Sequence, residues 1–350
     1  MSFMLGRIGR SLFVVLSLSI FTLFLAVPSL TRPTWAAQHE ETPTNLVEGA
    51  KKEGKLVLYS TSSMEVGMKM LAVFREKYPF MQTDLYRSGS ASLLTKLSAE
   101  VHSEKNFADV VILPGGESMT LKKKGFYTQY VSPQNKFLPK GFTDPEGHWA
   151  VVYMALNGLV YNTRLVSSQE APRSWQDLLH PKWKGKIGID TKSFEWFGYM
   201  QKALGQKAGM EYMEKLAAQN PKFYSMRTLV AQLVTAGEVS IGLVYRGDVQ
   251  LRKDKGAPLD WVGIEPIIPS VLLIGSSARA PHPHAAKLFI DLALSREGQE
   301  EWTRVYRDPS RPDVQPRGLT KALRISTPDF TIIDNYEKYG KLYREILMKK

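Results

Sequence analysis

Hydroxyl-bearing and glycine residues follow three β-prone runs in the first third of the chain, where each run leads into a helical stretch. Free hydroxyl groups and the backbone N–H groups at the start of a helix are donors that hold anions. Open α/β sheets also bind ligands beyond the carboxyl ends of their strands. The three turns therefore predict a binding site for a small anionic molecule. Their candidate residues are Ser60, Thr61, Ser62 and Ser63 in the first turn, Arg87, Ser88, Gly89 and Ser90 in the second, and Gly115 in the third.

Each of these turns also has an explanation that needs no ligand. A single serine or threonine hydroxyl group is enough to cap a helix, although four hydroxyl residues in succession leave some to spare. Arg87 also suits a solvated charge or a salt-bridge partner, and Gly115 suits a plain tight turn. Both explanations stay open for each turn at this point.

A second group of candidates lies in the second half of the chain, at the ends of β-prone runs or the starts of helical stretches. Arginine can bind a carboxylate or a phosphate through two parallel hydrogen bonds, which a lysine cannot do. We expect this group to complete the site from the opposite side, while a tyrosine in residues 150–161 either faces the site or packs in a hinge. The candidates are Ser193, Arg227, Tyr245, Arg246, Asp248 and Tyr153.

Recognisable catalytic and cofactor motifs are absent from the sequence. It contains no G-x-S-x-G elbow, no P-loop, no G-x-G-x-x-G fingerprint and no cysteine. His282 and His284 are close together, but prolines place them in a loop and no third metal ligand lies beside them. We predict no catalytic residue, no metal and no cofactor. The alternative function is that of a secreted enzyme with the same fold.

Alternating strands and helices must position these candidates. The β-prone runs at residues 55–60, 82–87 and 108–113 are each followed by a helical stretch, which is typical of parallel βαβ construction. Two longer β-prone stretches, at residues 150–161 and 261–274, bracket a further α/β block. The pattern predicts an α/β fold of two lobes joined by two crossing strands. Residues 38–154 and 271–350 would form lobe 1, and residues 155–270 would form lobe 2.

The first residues have the pattern of an export signal. Arg7 and Arg10 precede an uncharged apolar run at residues 12–27, so we predict a signal peptide over residues 1–37 and a periplasmic location. An uncleaved anchor is the alternative, although a membrane span needs about 20 apolar residues. Removing Arg7, Arg10 and Arg32 changes the formal net charge from +12 to 12 − 3 = +9. The basic residues are spread without a block, which argues against a nucleic-acid partner and suits attraction of an anionic solute.

Five segments resemble, in the same order, the extracellular solute-binding proteins of ABC importers, and the nearest group is the one named for ferric-iron-binding proteins. The resemblance implies a type II periplasmic-binding-protein fold whose two lobes close on a solute by a hinge motion. It also implies a monomeric receptor that delivers its solute to an ABC permease in the inner membrane. The segments are AKKEGKLVLYSTSS, NGLVYNTRLV, PRSWQDLLHPKWKGKIGI, TAGEVSIGLVYRGD and AAKLFIDLALSREGQ, between about residues 48 and 305.

The ferric members of that group typically bind iron through a histidine or acid after the first strand, an acid after the third strand and adjacent tyrosines in the second lobe. The corresponding positions here are Ser62 or Ser63, Pro114 and Gly247 with Asp248, and only Tyr245 lies close to the last pair. Most of the oxygen ligands that Fe³⁺ prefers are therefore missing. We predict a receptor for a small anionic solute. The alternative is a ferric-iron receptor that uses Tyr245, Asp248 and a synergistic anion.

Overall fold

The computed structural model describes residues 44–319 and 323–349. The predicted signal peptide over residues 1–37 lies outside the described residues. Among the helices that are described, none combines the length and the apolar character needed to cross a membrane.

The first part of the described chain alternates strictly between helices and strands, as the apolar spacing predicts. The second strand pairs in parallel with the first, and the first pairs in parallel with the third, so the carboxyl ends of all three strands meet at one edge. Met70, Leu71 and Phe74 recur at helical spacing and are fully buried, which anchors the first long helix on the sheet. The elements are α1 (Thr44–Glu53), β1 (Lys55–Ser60), α2 (Met64–Lys77), β2 (Gln82–Arg87), α3 (Ser90–Ser103), β3 (Val110–Pro114) and α4 (Gly115–Lys123).

The second part contains a long strand, a further α/β block and a helical C-terminal part. Its elements are β4 (Ala150–Asn162), β5 (Ile187–Asp190), α5 (Phe194–Leu204), α6 (Gln206–Ala218), β6 (Lys222–Tyr224), α7 (Arg227–Ala236), β7 (Ile241–Tyr245), α8 (Arg246–Lys253), β8 (Leu259–Val262), β9 (Pro269–Ser276), α9 (Pro283–Leu294), α10 (Arg296–Arg304), β10 (Asp308–Pro309), α11 (Phe330–Asp334) and α12 (Tyr336–Leu347).

Strand β4 runs from one half of the molecule into the other. The sheet order is β2-β1-β3-β9-β4-β7-β5-β6, with β8 and β10 also paired to β4. The first residues of β4 pair with β9, and the later ones pair with β7 and β8. We call the part built on β1, β2, β3, β9 and the start of β4 lobe 1, and the part built on the end of β4 and on β5–β8 lobe 2.

Two chain segments cross between the lobes side by side. At the crossing the Asn157 backbone N–H donates to the Ile268 carbonyl at 3.0 Å, and the Asn157 side chain donates to the same carbonyl at 2.8 Å and to the Ser270 hydroxyl at 3.2 Å. The predicted α/β fold with two crossing strands is therefore confirmed. The boundaries placed at residues 154/155 and 270/271 remain a prediction.

Two main apolar cores stabilise the molecule. In lobe 1, α2, α9 and α10 pack Phe74, Phe289 and Trp302 against the sheet, and in lobe 2 α5 and α6 bury side chains such as Trp196. Each fully buried large side chain contributes about 1.5–3 kcal/mol of transfer free energy. Helix α12 packs on α5 and α6 and adds Tyr343 to the lobe 2 core. This packing differs from the expectation that residues 271–350 belong to lobe 1 throughout, because the apolar face of α12 fits the exposed side of lobe 2.

Candidate ligand-binding cleft

A cavity of about 110 Å³ lies between the two lobes and is lined from both of them. The carboxyl ends of β1, β2 and β3 reach it from lobe 1, and those of β5 and β7 reach it from lobe 2. This is the convergence that the strand–turn–helix pattern predicts. Ten of the fifteen predicted residues line the cavity, namely Thr61, Ser62, Ser63, Arg87, Gly89, Ser90, Tyr153, Arg227, Tyr245 and Asp248.

Hydroxyl groups form the lobe 1 wall of this cavity. The Ser63 hydroxyl caps α2 by accepting from the Val66 N–H at 3.4 Å, so this residue has the capping role as well as a place in the lining. The Ser62 hydroxyl and the Tyr153 phenol share a hydrogen bond of 2.6 Å, which places Tyr153 in the cleft. Gly89 precedes α3, and no side chain caps that helix. The wall therefore presents donors at two helix N-termini.

Arg87 reaches from lobe 1 across the cavity to lobe 2. Its Nε donates to the Ser62 carbonyl at 3.2 Å, and its terminal nitrogens contact the Met226 sulfur at 3.7 Å and the Thr228 hydroxyl at 3.5 Å. All of these acceptors are neutral. Within residues 44–319 and 323–349, no carboxylate forms an ion pair with Arg87, so its charge is available to a solute.

Arg227 is held rigidly in the lobe 2 wall. Its guanidinium group donates to Asp190 at 2.6 Å, Asn157 at 2.7 Å and Ser193 at 3.0 Å. It also lies 4.1 Å from the ring centre of Tyr245. Asp190 already compensates the charge of Arg227, so Arg227 chiefly holds the lobe 2 wall together. Ser193 lies outside the lining and supports the Arg227 side chain.

A second buried ion pair joins the lobes beside the crossing strands. Arg307 donates to Asp248 at 2.8 Å, and both residues line the cavity. Arg246 instead donates to Asp308 at 2.6 Å and to the Arg317 carbonyl at 3.0 Å, so it lies behind the cavity and does not line it. The expectation that Arg246 faces the solute is thus not met, because α8 begins at this residue and turns its side chain toward β10.

Three other predicted residues lie next to the cavity without lining it. The Ser60 hydroxyl accepts from the Ser62 N–H at 3.0 Å, and the Ser88 N–H donates to the Ser60 carbonyl at 3.4 Å, so both hold the turns together. Gly115 packs against Ile333 and Val271, and an added Cβ would lie 3.0 and 3.2 Å from their side chains. Gly115 therefore permits close packing of the C-terminal part instead of binding a solute.

Two buried glutamates in the lining were missed from the sequence. Glu117 and Glu195 are 1% and 5% exposed and belong to the first turns of α4 and α5. The Tyr336 phenol donates to Glu117 Oε1 at 2.8 Å, and the Gly116 N–H donates to Glu195 Oε1 at 3.2 Å. Both glutamates follow a β-strand at a helix start, which is the same signal that identified the other turns, so that signal could have found them.

Burial governs the protonation of the two glutamates. Burial raises the pKa of Glu117, although the hydroxyl groups of Ser90 and Tyr336 oppose the rise. Burial and then repulsion from Glu117 raise the pKa of Glu195 to about 7. The pair therefore holds protons that isolated glutamates would lose near pH 4.3.

The remaining lining residues were not among the candidates and lie on the strands β3, β4, β5 and β9, in α7, in loops and in the C-terminal part. They are Pro114, Ala155, Asp190, Lys192, Ser225, Met226, Thr228, Ser270, Leu272, Arg307 and Tyr336.

The family of the chain follows from its match to known proteins. Residues 105–335 match the family described as bacterial extracellular solute-binding protein. The chain belongs to this family. An uncharacterised protein of Haemophilus influenzae is 27% identical over 271 residues, which cover 72% of this chain and 76% of that protein. A periplasmic protein of Salmonella typhimurium named for 2-aminoethylphosphonate binding is 29% identical over 176 residues, 45% of this chain and 50% of that protein.

The fold of this solute-binding protein is also found among solved structures. The periplasmic binding protein AfuA from Actinobacillus pleuropneumoniae, solved with fructose-6-phosphate, superimposes with a TM-score of 0.76 at 23% identity, covering 85% of this chain and 99% of that one. The resemblance stated from the sequence, the two-lobed fold and the periplasmic location are confirmed. Members of the family are binding proteins.

Proposed function

We propose that this solute-binding protein is the receptor of an ABC importer for a small solute with an anionic group of the phosphonate or phosphate type. The observation that carries the proposal is Arg87, which forms no ion pair with a described carboxylate and lines the cavity together with Thr61, Ser62 and Ser63. An anion here would gain charge-assisted hydrogen bonds and the favourable end of a helix dipole. The phosphonate named for the Salmonella typhimurium relative supports the same class.

Contacts across the cavity support closure on the solute. Arg87 of lobe 1 meets Met226 and Thr228 of lobe 2, so a solute bound to Arg87 would draw the lobes together. The receptor would act as a monomer and release the solute when the permease parts the lobes. No chemical step is needed for this role, and no histidine or cysteine lies among the described residues of the lining. We therefore propose that the protein is not an enzyme.

The ferric-iron alternative receives less support from the geometry. Arg227 lies against the Tyr245 ring, and Arg307 is paired with Asp248. Burial raises the pKa of Tyr245, which disfavours the phenolate that would bind Fe³⁺. Both proposed iron ligands are thus engaged with cations, and an anion is the better occupant of this cleft.

Calorimetric titration of the protein, freed of any co-purified solute by unfolding and refolding, tests the proposal. The solutes are inorganic phosphate, ethylphosphonate, 2-aminoethylphosphonate, fructose 6-phosphate and citrate. We expect at least one phosphorus-containing anion to bind, and Arg87→Ala to weaken that binding by at least about tenfold, because a charge-assisted hydrogen bond contributes about 1.5–3 kcal/mol. The matched control is Arg164→Ala, since Arg164 is exposed and outside the cleft. Failure of every solute, or an equal effect of both variants, would overturn the proposal.

A further inference from the structure

We propose that Glu117 and Glu195 form a second subsite of the cleft, which binds a primary ammonium group of the solute. The inference rests on the proposed function for the anionic end of the solute. Together the two subsites make the solute a zwitterion, with its anionic group at Arg87 and its ammonium group between the two glutamates.

The geometry of the pair is that of an unfilled acceptor site. Glu117 comes from lobe 1 and Glu195 from lobe 2, and both line the cavity. Glu117 is held by the hydroxyl groups of Tyr336 and Ser90, and Glu195 by the Gly116 N–H and the Ser270 hydroxyl group. Glu117 Oε2 is buried and has no hydrogen-bond partner among the described residues. An ammonium group carries three donors, so it can satisfy this oxygen and still bond to Glu195.

Electrostatics favours a cation over a neutral group at this position. In the part of the chain that the structure describes, no lysine or arginine forms an ion pair with either glutamate. Lys192 lowers the pKa of Glu117 through its charge, and Arg227 does the same for Glu195. Both effects are smaller than the rise in pKa that burial causes. A buried carboxylate without a counter-charge is costly. An ammonium group supplies that charge, whereas the hydroxyl group of a sugar would supply hydrogen bonds alone.

The other charges in the lining leave this pair as the vacant acidic site. Asp190 is paired with Arg227, and Asp248 is paired with Arg307. The two carboxyl groups without an ion pair are therefore Glu117 and Glu195, at the ends of α4 and α5 that face each other across the cavity. Arg87 and Lys192 are the cations of the lining that form no ion pair with a described residue. The cleft therefore has Glu117 and Glu195 as acceptors for an ammonium group, and unpaired cations for an anion.

Matched solutes test the subsite directly. The wild-type protein should bind 2-aminoethylphosphonate at least about tenfold more tightly than ethylphosphonate, which differs only by the amino group. Glu117→Gln and Glu195→Gln should each remove most of this preference. Their affinity for ethylphosphonate should stay within about threefold of the wild-type value, because the anionic end is untouched.

Proton release on solute binding is a second test that uses only the wild-type protein. It can therefore be measured even if the variants fail to fold. Binding of an ammonium group lowers the pKa of the pair, and the wild-type protein should then release protons near pH 7 with 2-aminoethylphosphonate but not with ethylphosphonate. Titration in two buffers of different ionisation enthalpy, neither a phosphate nor a primary amine, measures the release. Arg164→Ala, at an exposed position outside the cleft, should leave it unchanged.

The outcomes separate this inference from the proposed function. Equal binding of both phosphonates without proton release, or tighter binding of fructose 6-phosphate than of 2-aminoethylphosphonate, would overturn the ammonium subsite and leave the anion receptor standing. Failure of every phosphorus-containing solute would instead overturn the anion receptor.

Discussion

At the scale of single residues, the cleft is a balanced set of charges in which some are committed and others are free. Two ion pairs, between Arg227 and Asp190 and between Arg307 and Asp248, lie within the walls. These pairs hold the walls in place because breaking a buried pair costs about 3–5 kcal/mol. We propose that charges without such a partner, above all Arg87, decide which solute fits.

The protonation of Glu195 should appear in the pH dependence of stability. Its pKa is raised to about 7 in the folded protein, above its ordinary value, so the folded state binds the proton more tightly than the unfolded state does. The stabilising effect of this proton is complete below about pH 4.3 and is lost as the pH rises through about 7. The free energy of unfolding of the wild type relative to Glu195→Gln should fall by up to about 3 kcal/mol between pH 5 and pH 8.

Urea unfolding of both proteins across this pH range, without solute, measures the difference. Comparing the two proteins at each pH removes the contribution of the titrating groups that do not interact with Glu195. A difference that stays constant, or that grows with pH, would contradict the raised pKa.

At the scale of elements, the site depends on how closely helix starts approach their neighbours. Gly116 lies in the first turn of α4, directly against the ring of Tyr336 in α12. A Cβ added to Gly116 would lie 2.1 Å from that ring. The same residue donates its N–H to Glu195. Gly116 thus determines both how closely α12 packs on α4 and where the Glu195 carboxyl group lies.

Replacement of Gly116 by alanine should destabilise the protein by about 1–3 kcal/mol, since the ring of Tyr336 must move to admit the methyl group. Gly89→Ala is the matched control, because Gly89 also precedes a cleft-facing helix but its added Cβ would meet only Met226, at 3.9 Å. Thermal and urea unfolding of the two variants measure the effect. If both variants lost the same stability, close packing at Gly116 would not be the reason.

At the scale of the whole molecule, the C-terminal part contacts both lobes. In α11, Ile333 packs with a lobe 1 cluster that includes Val271, whereas the adjacent Ile332 packs in the lobe 2 core. Tyr343 of α12 is fully buried and donates to the Asp190 carbonyl at 2.7 Å. Helix α12 therefore packs with lobe 2, while α11 contacts both lobes.

Truncation after Asp329 should lower the unfolding midpoint strongly, because it removes α11 and α12 with several fully buried side chains, each contributing about 1.5–3 kcal/mol. It should also weaken solute binding, since Tyr336 no longer holds Glu117. The control is deletion of the last two residues alone, which leaves both helices complete. Circular dichroism during heating measures stability. An unchanged midpoint in the longer truncation would show that the C-terminal helices are dispensable for the fold.

Much of lobe 1 could be predicted from the sequence because its signals are local. The strands β1 and β2 begin and end where the β-prone runs do, and the helices that follow show apolar residues at helical spacing. The turns between them reach the cleft because parallel strands end at the same edge of a sheet. The positions of Ser62 and Arg87 therefore followed from the chain order of elements, whereas that of Tyr245 in lobe 2 rested also on the family resemblance.

Local patterns along the chain account for the alternation of strands and helices, the two crossing stretches and the hydroxyl-rich turns at one sheet edge, since these features depend on neighbours in the sequence. Which charges are free depends instead on the tertiary fold. Arg246 pairs with Asp308, which is 62 residues away along the chain, and the Gly116 N–H donates to Glu195, which is 79 residues away. Such pairings depend on the packing of distant segments, which no local pattern encodes. For that reason an anion-binding edge could be predicted from the sequence, whereas the absence of an ion pair at the two glutamates followed only from the tertiary structure.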